Sequence, residues 1–122
     1  MRVYAVRGAV SVEEDRPEEI VRETVKMVEK VLSENRIPVR RIISIQFSIT
    51  RDLQSINPAA ALRRGNSEIP GVPLFVAQEP DSLDAMEKVI RILLYFRGPL
   101  IQKIKPQYLG RAKGLRPDIT AS

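Results

Sequence analysis

The chain has 122 residues, 43% of them hydrophobic, with 20 basic and 15 acidic groups and a net charge of +5, the makeup of one ordinary globular domain. It contains neither cysteine nor histidine. Disulfides, thiolate or imidazole metal sites, cysteine nucleophiles and histidine proton shuttles are therefore excluded, and any chemistry runs on Arg, Lys, Asp, Glu, Tyr and backbone groups.

Residues 3–10, Val3-Tyr4-Ala5-Val6-Arg7-Gly8-Ala9-Val10, read as a β-branched strand interrupted by an arginine and a glycine. Pro17 marks a helix start, with Asp15 as its N-cap and Glu18 and Glu19 in the first turn. Ile20, Val21, Thr24, Val28, Val31 and Leu32 then recur at helical spacing until about Asn35. Over 41–50, Ile43, Ile45, Phe47 and Ile49 alternate with Ser44, Gln46, Ser48 and Thr50, a strand with one apolar and one polar face. Asn57-Pro58-Ala59-Ala60-Ala61-Leu62-Arg63-Arg64-Gly65 reads as a short helix with an N-cap, a proline at its first position and a terminal glycine. Val72 to Ala77 predicts a third strand, and Pro73 places it at a strand start or an edge. A second long helix is predicted from about Ser82 to Phe96, with Leu83, Met86, Val89, Ile90, Leu93 and Leu94 on its buried stripe and Gly98-Pro99 as its stop. Residues 107–112 suit a last strand, and the tail from about residue 117 is expected to be mobile.

This order implies an α+β (mixed α/β) fold in a single domain spanning 1–122: a small mixed sheet with two long helices on one face. Two helices leave the other face uncovered, and a homo-oligomer is expected to pack around it.

Few side chains stand out as candidates for chemistry. Arg7 interrupts an apolar strand, so it is either a ligand-facing group or half of an ion pair. Glu79 follows the third strand at its C-terminal end, where ligands gather in α/β sheets, or is simply an acid at a helix entry. Arg91 follows Glu87 by four residues and suits a surface pair on the predicted helix; Arg63 and Arg64 suit the dipole at the end of the short helix. No phosphate-binding glycine loop or metal-ligand spacing appears.

Taken in order from about Val3 to Ile119, these segments resemble the trimeric pseudo-α/β-barrel family of monofunctional chorismate mutases. The resemblance rests on Val6-Arg7-Gly8-Ala9 followed by Val12-Glu13, on Asp52-Leu53 leading to Pro58, Ala59 and Arg63, and on Val72-Pro73 and Gln78-Glu79. Val89-Ile90-Arg91, Tyr108-Leu109 and Leu115-Arg116-Pro117-Asp118 complete it. It implies isomerisation of chorismate to prephenate, a step toward phenylalanine and tyrosine, by a Claisen-type rearrangement with no metal or other cofactor. It further implies a homotrimer with sites between neighbouring subunits. Arg91 would face the ether oxygen and a carboxylate, Arg7 would bind a carboxylate with Tyr108 near the same group, and Glu79 would accept from the ring hydroxyl. Arg63 would act at the mouth and Arg116 from the tail, while Phe75, Val76 and Leu115 would line the pocket, partly through backbone groups. Asn57 stands where the family has an aromatic residue, Ala60 where it has lysine, and Phe75-Val76 where it has Thr-Cys.

Charge suggests rivals. Residues 1–61 hold 10 basic and 9 acidic groups, whereas Lys88 to Asp118 hold 8 basic and 1 acidic. Such a basic stretch fits a solvated surface, a non-catalytic small-anion or regulatory binder on the same fold, or a nucleic-acid module. The last is disfavoured because only Tyr95, Phe96 and Tyr108 are aromatic there, so no nucleic-acid partner is expected. No apolar run reaches the ~18 residues of a membrane span, and Met1-Arg2-Val3-Tyr4 lacks signal-peptide character, so a cytoplasmic location with no membrane partner is expected.

Overall fold

Alternation and helical periodicity become regular structure in a computed structural model that describes residues 1–66, 69, 71–82 and 85–114. The elements are β1 (Arg2–Ser11), α1 (Pro17–Glu34), β2 (Ile42–Ile49), α2 (Pro58–Gly65), β3 (Leu74–Gln78), β4 (Val89–Gly98) and β5 (Gln107–Leu109). Short 3₁₀ turns at Val39–Arg41 and Gly110–Gly114 precede β2 and follow β5. The predicted tail from residue 117 and the positions Leu83, Leu115 and Arg116 lie outside the described residues. No helix among the described residues is long and apolar enough to cross a membrane.

The first helix begins with Pro17, whose missing N–H costs nothing there, and carries Glu18 and Glu19 in its positive first turn. Asp15 does not cap it, contrary to expectation. The capping position falls to Arg16, which makes no side-chain cap bond, and the Asp15 carboxylate instead accepts the Gln54 and Ser55 N–H groups, both at 3.0 Å. Those donors, in the loop after β2, offer Asp15 two well-aligned partners that the helix start does not. Burial pushes the Asp15 carboxyl up, but these two N–H bonds and the Ser55 hydroxyl outweigh it and hold the group below the usual carboxylate range. Ile20, Thr24, Met27, Val28 and Val31 form the buried stripe of α1. The second helix matches its predicted signals: the Asn57 side chain accepts the Ala60 N–H at 2.8 Å, and Pro58 opens the first turn.

The second long helix expected over Ser82 to Phe96 is absent; Val89–Gly98 is instead the ten-residue strand β4. Ile90, Ile92, Leu94 and Phe96 are buried on one face, with Arg91, Leu93 and Tyr95 half-buried on the other. A period of two therefore won over a period of 3.6, as the β-branched and aromatic content of Val89, Ile90, Ile92, Tyr95 and Phe96 favours. Both β1 and β2 lend β4 a full ladder, which a helix would leave unpaired.

The sheet order is β3-β2-β4-β1-β5. The central β4 runs antiparallel to both neighbours, and the edge strands β3 and β5 run parallel to β2 and β1. The fold is thus α+β around a mixed sheet, as expected, with one long and one short helix. Pro73 sits just before the edge strand β3, where its missing donor is harmless.

Among the described residues, α1 and α2 both pack on the same face. On it, Val6, Val10, Ile45, Phe47, Ile90, Ile92, Leu94 and Phe96 meet Ile20, Met27, Val28, Val31 and Leu62 in one core cluster. Gly8 permits this approach: a Cβ there would lie 3.0 Å from Val31 Cγ2 and 3.1 Å from Ile92 Cγ1. The opposite face carries Ala5, Arg7, Gln46, Phe75, Leu93 and Tyr95 without a helical cover, and Phe75 is 66% exposed.

Candidate functional site

Strand register decides what shares this open face. Directly opposed residues point the same way, so Ala77, Ser48, Arg91, Ala9 and Tyr108 form one row across all five strands. Arg91 therefore sits between the small side chains of Ser48 and Ala9, which leaves room for its guanidinium along the sheet. Arg7 lies two residues from Ala9 on β1, opposite Leu93 and thus one row along on the same face. Glu79 lies two residues beyond Ala77, its N–H donating to the Ile49 carbonyl at 2.8 Å.

The side chains converge. One Arg91 guanidinium nitrogen donates to both Glu79 carboxylate oxygens, and the Ser48 hydroxyl donates to Glu79 Oε2 at 2.8 Å. Arg91 and Glu79 are 33% and 19% exposed at their side chains, so the pair is half-buried and each charge offsets the other's desolvation. Pairing with Glu79 replaces the Glu87–Arg91 helix pair that the sequence suggested, because Arg91 is on a strand. Arg7 is exposed and has no hydrogen-bond or ion-pair partner among the described residues, so its charge remains available to a ligand. Tyr108 is 6% exposed and packs in a small second cluster with Ala9, Val89 and Ala112 at one end of the open face.

Other sequence candidates lie elsewhere. Arg63 and Arg64 are exposed in the last turn of α2, in the helix layer and so across the sheet from Arg7. Phe75 projects from the open face, whereas Val76 packs toward the helix-side core and offers that face only its backbone. Asn57 is occupied in capping α2.

A group to which sequence reasoning gave no role at the site supports it. Thr50 Oγ1 donates to Asp52 Oδ1 at 2.5 Å and accepts the Val89 N–H at 3.1 Å, while the Asp52 carboxylate accepts the Lys88 N–H. These bonds lock the end of β2 to the start of β4, two residues before Arg91, and hold Lys88 in the left-handed region at φ 53°. Ser48, read only as part of a polar face, was the legible hint: its alternation placed it beside whatever β4 presents. A cleft of about 540 Å³ adjoins Glu79, lined by Thr50, Asp52, Asp81, Met86 and Glu87 among others. Four carboxylates and one arginine, Arg51, line it, so its wall carries an excess of negative charge. Among the described residues no carboxylate cluster is arranged to hold a metal ion. Two cations, a carboxylate with a lone pair to spare and a phenol on one rigid sheet suit a compact anion bearing a hydroxyl.

Comparison with known proteins shows the family. The family model described as chorismate mutase type I matches residues 3–119. Chorismate mutase AroH of Bacillus subtilis is 33% identical over 98% of this chain and 94% of its own length. Chorismate mutase AroH of Thermus thermophilus is 34% identical over 98% of both chains. A solved structure of chorismate mutase from Clostridium thermocellum superposes with a TM-score of 0.84 at 34% identity, covering 90% of this chain and 97% of its own.

Proposed function

From the premise that this chain belongs to the chorismate mutase type I family, we propose how its open sheet face performs the family's reaction. The chain is an isomerase that converts chorismate to prephenate, a reaction of aromatic amino acid biosynthesis. One ether C–O bond breaks as one C–C bond forms within the same molecule. No proton, nucleophile or electron acceptor takes part, so the protein's task is to fix the substrate's shape and to match the charge that separates in the transition state. A millionfold acceleration requires roughly 8 kcal/mol, more than one donor supplies.

In our reading, Arg91 donates to the ether oxygen as negative charge collects there, and also to one carboxylate. Arg7 binds a substrate carboxylate with Tyr108 beside it, and Glu79 accepts from the ring hydroxyl while facing the positive charge that builds on the ring. The observation that carries this assignment is that Glu79, itself bonded by Ser48, holds Arg91 while Arg7 stands uncommitted one row away. A donor already fixed before substrate arrives needs no reorganisation in the transition state. Phe75 lines the pocket by its side chain and Val76 by its backbone, with Leu115 and Arg116 joining from the C-terminal segment.

Arg63 belongs to this site only if it comes from a neighbouring subunit, since within its own chain it lies in the helix layer. Together with the uncovered sheet face, this supports a homotrimer with sites between subunits. A cytoplasmic location belongs to the same proposal. The test combines chorismate turnover, followed as prephenate formation, with light scattering of the same sample. We expect turnover by a particle of three times the 13.8 kDa chain mass. No turnover from a folded oligomer refutes the site assignment; full turnover by a monomer refutes its placement between subunits.

A further inference from the structure

The open face does not absorb all of the chain's positive charge. At the other end of the sheet, where β1 begins and β4 ends, lies a second cleft of about 410 Å³. Arg36, Arg41 and Arg97 line it together with Pro38, Phe96 and Gln102, and among the described residues no carboxylate does. None of the three arginines has an ion-pair partner among the described residues. Arg41 is half-buried, yet among the described residues its guanidinium reaches only the Met1 sulfur. A partly desolvated cation without a counter-charge is unfavourable, and an anionic ligand would offset that cost. Gly98 lies seven positions beyond Arg91 on β4, about 23 Å along the strand, so the cleft is separate from the Arg7–Arg91 face.

The walls of this cleft are held in place. Asn35, 2% exposed, donates to the Lys105 carbonyl at 3.0 Å and accepts the Lys105 N–H at 2.8 Å, while Gln102 Nε2 donates to the Asn35 carbonyl at 2.7 Å. The end of α1 is thereby fastened to the connection after β4. Arg36 follows in the left-handed region at φ 52°, a conformation that a non-glycine residue adopts at a cost. The two aromatic rings nearby, Tyr4 and Phe96, stack on each other at 5.5 Å, and Phe96 is buried, so no free ring face is offered to a nucleobase.

We propose that this cleft binds a small phosphorylated anion, independently of the chorismate site. Three arginines from three chain segments lining one concavity suit a phosphoryl group, whose oxygens accept bidentate pairs from several directions. Inorganic pyrophosphate is the probe, titrated calorimetrically at low salt into the full oligomeric protein. We expect saturable binding with a Kd below about 1 mM, weakened at least about tenfold in Arg41→Ala. Arg36→Gly serves as the second variant, because glycine relieves the left-handed turn while removing the cation, and it should weaken binding similarly. Chorismate turnover should persist in both variants, and Arg91→Ala should bind pyrophosphate as the parent does. Absence of saturable binding up to about 10 mM overturns the proposal. So does equal binding by parent, Arg41→Ala and Arg36→Gly. Loss in Arg91→Ala would assign the anion to the open face instead. Tighter binding of a single-stranded oligonucleotide with the same arginine dependence would replace the small anion with nucleic acid.

Discussion

Replacing Arg91 by alanine separates catalysis from folding. The variant loses the guanidinium held by both Glu79 oxygens and leaves the Glu79 carboxylate with Ser48 alone. For folding the loss is small: the two side chains are 33% and 19% exposed, so the pair is partly solvated and contributes about 1 kcal/mol. In a domain of this size that lowers Tm by about 4 °C. For the reaction the loss is larger, because a fixed donor aimed at the oxygen that gains charge contributes about 3–4 kcal/mol, or a hundred- to thousandfold in rate. Prephenate formation and thermal unfolding measured on one preparation should therefore diverge, with turnover down at least about a hundredfold in a protein that melts only a few degrees lower. A loss of less than about tenfold in a folded variant would mean that the ether oxygen faces another group. A collapse of the fold would mean that the pair is structural and that its solvation has been misjudged.

Three further outcomes follow from packing and charge. Thr24→Val should leave stability unchanged or raise it by up to about 1 kcal/mol, since the Thr24 hydroxyl is buried without a hydrogen-bond partner; a clear loss in a urea titration would contradict this. Gly65→Ala should cost about 1–2 kcal/mol despite alanine's better helix propensity, because the new methyl would sit 3.0 Å from Val21 Cγ1 and closer still to Val25 Cγ2; a higher urea midpoint would refute it. Asp15 titrates below its unfolded value, so its stabilisation is fully present at neutral pH and is lost as pH falls through the folded value, below about 4. The stability gap between parent and Asp15→Asn should therefore be widest near neutrality and close in acid, which urea titrations at both pH values will show.

Local chemistry was legible wherever one signal ruled. Pro17 with two following glutamates, the alternation from Ser44 to Ile49, and Asn57 before Pro58 each formed the predicted structure, although a register shift between Ile42 and Ser44 puts Ile42 rather than Ile43 against the core. Val89 to Phe96 admitted two structures. Val89, Ile90, Leu93 and Leu94 satisfy a helical stripe, while Ile90, Ile92, Leu94 and Phe96 satisfy a strand, and only the presence of β1 and β2 on either side decides between them. That single ambiguity hid the link between Arg91 and Glu79, twelve residues apart in sequence and joined across β2. Family resemblance supplied both residues by position without supplying the geometry that joins them. Asp15 failed as a cap for a similar reason: its partners, Gln54 and Ser55, lie about forty residues away and leave no local trace.

The order of strands has a consequence for how the chain comes to be folded. No ladder joins β1 to β2; both pair with β4, which is made some forty residues after β2 ends. Until β4 emerges from synthesis, both strands present open edges, and α1 and α2 have only parts of a sheet to pack against. Assembly should thus be late and concerted, slowed by the closure of long loops and exposed to edge-to-edge association while it waits. The strand that closes the sheet is also the one that carries Arg91. No half-made chain therefore holds this cation between Ser48 and Ala9, and the site arises only as the sheet is completed.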